Sequence, residues 1–139
     1  MFDSSPAAPG FSLVEVILAA ALLALITSAW AGSFWFGYEA TLLAAERTRA
    51  VALAEEGLEA VRNLRDQSFA NLVPGTYGVT TTGNQWQLSG AADTIGMFTR
   101  SVALAALSAS TTRVTATVTW QHRPAARSVT LTADLTDWR

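Results

Sequence analysis

The polarity of the chain changes character along its length. From Phe11 to Trp35 the residues are mostly Leu, Ile, Val, Ala and aromatic, and after Glu15 no charged side chain occurs until Glu39. That gap exceeds the roughly 20 residues an α-helix needs to cross a bilayer. A helix also satisfies every backbone polar group internally, as a lipid environment demands. From Glu39 to Asp66 the composition moves to Ala, Leu, Glu and Arg, good helix formers interrupted only by Gly57. Apolar residues recur there at Leu43, Ala50, Ala54, Leu58, Val61 and Leu64, close to a 3.6-residue period. Glu46, Arg49, Glu55, Glu56, Glu59 and Arg62 fall largely on the other faces. The pattern predicts one helix from Phe11 to about Asp66, roughly 80 Å long at 1.5 Å per residue. Gly32 and Gly37 lower helix propensity inside the apolar part without enforcing a break. They mark either a soft spot or a place for close helix packing in a membrane.

Beyond the helix the period falls to two. Phe69 to Gly78, with Asn71, Pro74, Gly75 and Gly78, reads as a loop. Tyr77–Thr82 and Gln85–Leu88 flank Gly83-Asn84, a two-residue hairpin turn. Met97–Leu104 reads as a third strand. Arg113–Gln121 then alternates, with Val114, Ala116, Val118 and Trp120 opposite Thr115, Thr117 and Thr119. After a five-residue loop, His122 to Ala126, the alternation returns with Val129, Leu131, Ala133 and Leu135 opposite Thr130, Thr132 and Asp134. Such a pair has one buried face, and the Ala50–Val61 stripe of the helix is its partner. The predicted fold class is therefore α+β, a long N-terminal helix packed against a small antiparallel β-sheet head.

Length and charge narrow the picture further. At 139 residues the chain holds one small domain beside its apolar segment. All nine basic residues are arginine, the net charge is −2 and no basic run occurs, so nucleic-acid binding has no electrostatic footprint. Without cysteine there are no disulfides and no thiolate metal sites. His122 is the sole histidine, placed in a predicted loop with no carboxylates clustered nearby, so no metal ion is expected. Glu55, Glu56 and Glu59 lie on an amphipathic helix without a nucleophile, which suits a solvated face or a subunit contact better than acid–base chemistry. Trp30 and Trp35 fall late in the apolar run, where interfacial aromatics belong. Trp86, Trp120 and Trp138 read as head core or subunit contacts. No catalytic residue and no cofactor is expected.

One residue breaks the apolar pattern. Glu15 places a carboxylate near the start of a segment that should exclude it, where an ionisable group costs at least about 2.5 kcal/mol at mid-membrane and marks a function. With Gly10 and Phe11 before it and a long apolar run after it, this stretch resembles the type IV pilin and pseudopilin superfamily. Its pattern is Gly, then Phe, then Glu as the fifth residue after a cleavage point. The helix segment Ala-Glu-Glu-Gly-Leu-Glu-Ala-Val-Arg also looks like minor pilins of the PilV or GspI kind.

The resemblance implies cleavage between Gly10 and Phe11 by prepilin peptidase and N-methylation of Phe11. Glu15 is then the assembly residue, its carboxylate neutralising the new amine of its own or a neighbouring subunit. The implied divisions are a leader at 1–10, a transmembrane and filament-core helix at 11–38, an amphipathic continuation at 39–68 and a β head at 69–139. The implied partners are prepilin peptidase, other pilin or pseudopilin subunits through the N-terminal helix, an inner-membrane assembly platform and, before assembly, the lipid bilayer. The leader carries Asp3 and no basic residue, and Arg47 and Arg49 lie beyond the apolar run. The positive-inside rule taken alone favours the opposite orientation, whereas the Gly-Phe-x-x-x-Glu context places the N-terminus in the cytoplasm and the head outside it. The expected product is a structural subunit, a minor pilin, first in the membrane and then in a surface filament. A pseudopilin of a type II secretion or competence system is the alternative within the family. A bitopic membrane protein with a small ligand-binding β head is the alternative outside it.

Overall fold

A computed structural model describes residues 10–122 and 124–138. The predicted leader therefore lies outside the described residues apart from Gly10. The described chain is one α-helix, a short 3-10 turn and six β-strands, and it divides into compact units at residues 1–42 and 43–139.

Helix α1 spans Leu13–Gln67 without interruption, passing through Gly32 and Gly37. It begins two residues later than expected, with the Val16 amide donating to the Ser12 carbonyl at 3.1 Å. In the first unit every residue of the helix is exposed. In the second unit its buried residues are Ala50, Leu53, Ala54, Gly57, Leu58, Ala60, Val61 and Leu64. The predicted stripe is thus present from Ala50 onward, with Leu43 only partly buried, and is wider than expected there because Leu53, Gly57 and Ala60 fill the gaps between its members.

The strands are β1 (Gly75–Thr82), β2 (Gln85–Ser89), β3 (Asp93–Ile95), β4 (Phe98–Ser108), β5 (Thr111–His122) and β6 (Ala125–Thr136). They form an antiparallel sheet in the order β2-β1-β4-β5-β6, with β3 pairing β4 at its side. The β1–β2 hairpin closes at Thr82↔Gln85 through Gly83 and Asn84, whose φ values are 57° and 64°. Two successive left-handed residues match the twist of the flanking strands, which is why this dipeptide was readable as a turn.

Four expectations are corrected. The loop from Phe69 to Gly78 is shorter, since a 3-10 turn occupies Phe69–Asn71 and β1 starts at Gly75. The third strand starts at Phe98 and runs to Ser108, leaving Met97 outside it and half exposed. The five-residue loop from His122 to Ala126 is shorter, because His122 pairs with Ala125 and Gln121 with Ala126. Strand β3 was not foreseen, being only three residues long.

The core forms where α1 crosses the inner face of the sheet. Val102, Val114, Ala116 and Val118 are fully buried, joined by Leu104, Phe98 and Trp120. The Phe98 and Trp120 rings sit 5.8 Å apart between centroids, in a tilted contact. On β6 only Leu135 reaches full burial, while Val129, Leu131 and Ala133 stay partly exposed. Gly57 sets the distance between helix and sheet. A Cβ at that position would lie 3.2 Å from Val102 Cγ2 and 3.3 Å from Arg100 Cδ.

Candidate functional site

The first unit carries the residues singled out by the sequence. Gly10 and Phe11 precede the helix and are exposed, Phe11 at 84%. Glu15 lies in the first turn of α1, where a negative side chain is favoured by the partial positive charge of the unpaired helix amides. It is exposed and makes no hydrogen bond or ion pair with another described residue. The structure thus brings the three residues into one short exposed stretch.

The apolar run beyond Glu15 forms a helix long and apolar enough to cross a membrane by length and composition, and none of its most apolar 18-residue stretch is buried. Leu18, Leu25, Ile26, Trp30, Phe34, Trp35 and Phe36 all face outward. Its few hydroxyls are satisfied along the helix itself. Thr27 Oγ1 donates to the Leu23 carbonyl at 2.9 Å, Ser28 Oγ to Ala24 at 2.7 Å, and Ser33 Oγ to Ala29 at 3.0 Å. Such back-bonding removes the cost of taking a hydroxyl out of water. Trp35 and Tyr38 approach to 6.5 Å between ring centroids at the polar end of the run.

The second unit holds two polar clusters that sequence reading missed. Arg100 stands on the inner face of β4, 2% exposed. Its Nη2 and Nε donate to the Asp93 carboxylate at 2.9 and 3.2 Å, and Nη1 donates to the Leu53 carbonyl at 3.1 Å. Glu56 lies 3.4 Å from Nη1. Asp93 Oδ1 also accepts the Val79 amide at 2.8 Å. Pairing of β1 with β4 ends at Tyr77↔Val102, after which β1 turns to β2 alone. Arg100 and Asp93 fill the gap where the strands part. A cation in phase with Val102 and Leu104 was the available signal, but its partner sat in a strand too short to predict.

The second cluster joins the helix to the far end of β5. Glu46 Oε2 accepts from Trp120 Nε1 at 2.9 Å and lies 2.9 Å from His122 Nδ1. His122 is therefore a strand residue with a structural partner and not a loop residue. Of the three glutamates on the helix, Glu56 faces Arg100 and Glu59 accepts from Arg62 at 3.1 Å. Among the described residues no three of His, Asp and Glu are grouped to hold a metal ion. Trp86 is half buried against the core and Trp138 is exposed.

The fold and the exposed apolar helix define an α+β protein with one candidate membrane-spanning helix near its N-terminus, a layout compatible with a single-pass membrane protein. Compared with protein-family models, curated proteins and solved structures, the chain matches none.

Proposed function

We propose that the chain is a non-catalytic filament subunit, a minor pilin of a type IV pilus. In this reading prepilin peptidase cuts between Gly10 and Phe11, and the Phe11 amine is methylated. The helix resides in the membrane with its N-terminus cytoplasmic until the subunit joins the filament. The observation that carries the reading is Glu15, a carboxylate without a partner among the described residues at the head of an apolar run exposed throughout residues 13–42. Residues 13–42 are exposed throughout, an apolar surface that lipid or neighbouring helices would cover. In such surroundings an unpaired charge is costly, and a new amino terminus from the same or an adjacent subunit offsets it.

Mass spectrometry of the chain recovered from membranes tests the reading directly. The expected N-terminus is Phe11 bearing one methyl group, and an intact Met1 end overturns the proposal. Glu15→Ala is expected to lower incorporation into filaments at least about tenfold, while the chain still inserts and is still processed.

A further inference from the structure

We propose that the free edge of β6 docks an extended segment of a partner protein whose inward side chains are apolar, with a basic residue placed opposite Glu55. Among the described residues β6 pairs with β5 alone, and the register is continuous from His122↔Ala125 to Thr111↔Thr136. Proteins commonly protect an open edge by shortening it, bulging it or placing proline or lysine in it. The opposite edge strand, β2, is short at five residues. β6 is twelve residues long, has no proline or lysine, pairs without a bulge, and carries its one basic residue, Arg127, near its start, away from Leu131 and Ala133. Its acid, Asp134, is engaged by Arg113 on the outer face at 2.8 Å.

The inner side of this edge is incompletely covered. Val129, Leu131 and Ala133 are partly exposed, whereas their neighbours on β5 are fully buried. An open groove runs between that row and α1, lined by Ala52, Leu58 and Leu131 together with Glu55, Glu56, Glu59, Arg62 and Thr132. Of these lining charges, Glu59 is paired with Arg62, and Glu56 faces Arg100. Glu55 makes no ion pair with another described residue. The groove therefore presents the apolar Ala52, Leu58 and Leu131 among charged side chains, with three glutamates against one arginine and Glu55 the acid outside any ion pair among the described residues. A strand added to β6 gains main-chain hydrogen bonds, and its alternate side chains enter the groove, where apolar and basic residues fit.

The test uses the full chain in detergent micelles and a fluorescein-labelled peptide, Thr-Val-Thr-Arg-Thr-Val-Thr, followed by fluorescence anisotropy and hydrogen–deuterium exchange. Saturable binding is expected, with exchange slowed at β6 amides. Glu55→Lys, or a peptide with Glu in place of Arg, is expected to weaken binding roughly fivefold. Glu55 is exposed, and an unchanged exchange pattern elsewhere verifies that the variant is folded. Unchanged β6 exchange at saturation, or equal binding of the two peptides, overturns the proposal. Self-association that protects β6 without peptide also overturns it, assigning the edge to a second copy. The proposal concerns residues 43–139 alone, so it fails or succeeds separately from N-terminal processing.

Discussion

Arg100 is the most constrained residue in the sheet unit, because a guanidinium out of water must have every donor direction answered. Asp93 answers two of them and the Leu53 carbonyl a third. Removing Asp93 leaves a buried charge poorly compensated, so Asp93→Ala is expected to cost about 3–5 kcal/mol, read from denaturant unfolding. The Glu46 carboxylate plays a milder part. Glu46→Ala leaves the Trp120 indole without its acceptor and is expected to cost about 1–3 kcal/mol. Arg113 and Asp134 form a contrasting pair on the solvent side. The Asp134 carboxyl is held below its ordinary range chiefly by hydrogen bonds from Arg113; partial desolvation opposes this and the Arg113 charge assists it. A depressed folded value stabilises above the unfolded aspartate range, and that contribution is lost as the pH falls through the folded value. The unfolding midpoints of wild type and Asp134→Asn are therefore expected to differ slightly at neutral pH and to converge on acidification. A gap that widens in acid contradicts the pairing.

At the scale of elements, Gly57 links helix to sheet. As a residue type it reads as a weak point in a helix, yet its missing side chain lets Arg100 approach and reach the carbonyl of Leu53, one turn earlier. Gly57→Leu would force a side chain against Val102 and Arg100. A loss of about 2–3 kcal/mol is expected despite better helix propensity, and an unchanged midpoint would mean the helix–sheet spacing is not set there. The helix itself was legible because an uncharged apolar run long enough to span a bilayer leads into a stretch whose apolar positions keep a 3.6-residue period. Strands β5 and β6 were legible because Thr alternates with Val, Ala and Leu over nearly their whole length. β3 was not, since three residues cannot establish a period. His122 was misassigned because Pro124 signals a turn, while nothing local signals that β5 continues to its edge.

Over the whole molecule, apolar surface is distributed in two different ways. Residues 43–139 contain every buried residue of the core, from Ala50 to Leu135. A chain truncated before Leu43 is accordingly expected to remain folded in water without detergent, with its strand signal and a cooperative unfolding transition retained. Aggregation of that fragment would show that the first unit is needed for folding. Residues 13–42 bury nothing of their own, so the full chain is expected to require detergent or lipid. The order of residues alone determined the apolar helix, the isolated carboxylate near its start and the alternating strands, because each is a pattern among near neighbours in the chain. The tertiary structure decided what holds the sheet unit together: Arg100 with Asp93 and Leu53, and Glu46 with Trp120 and His122. The Arg100 and Glu46 links to opposite elements span 47 and 74 positions, respectively, and periodicity carries no information about which distant residues meet.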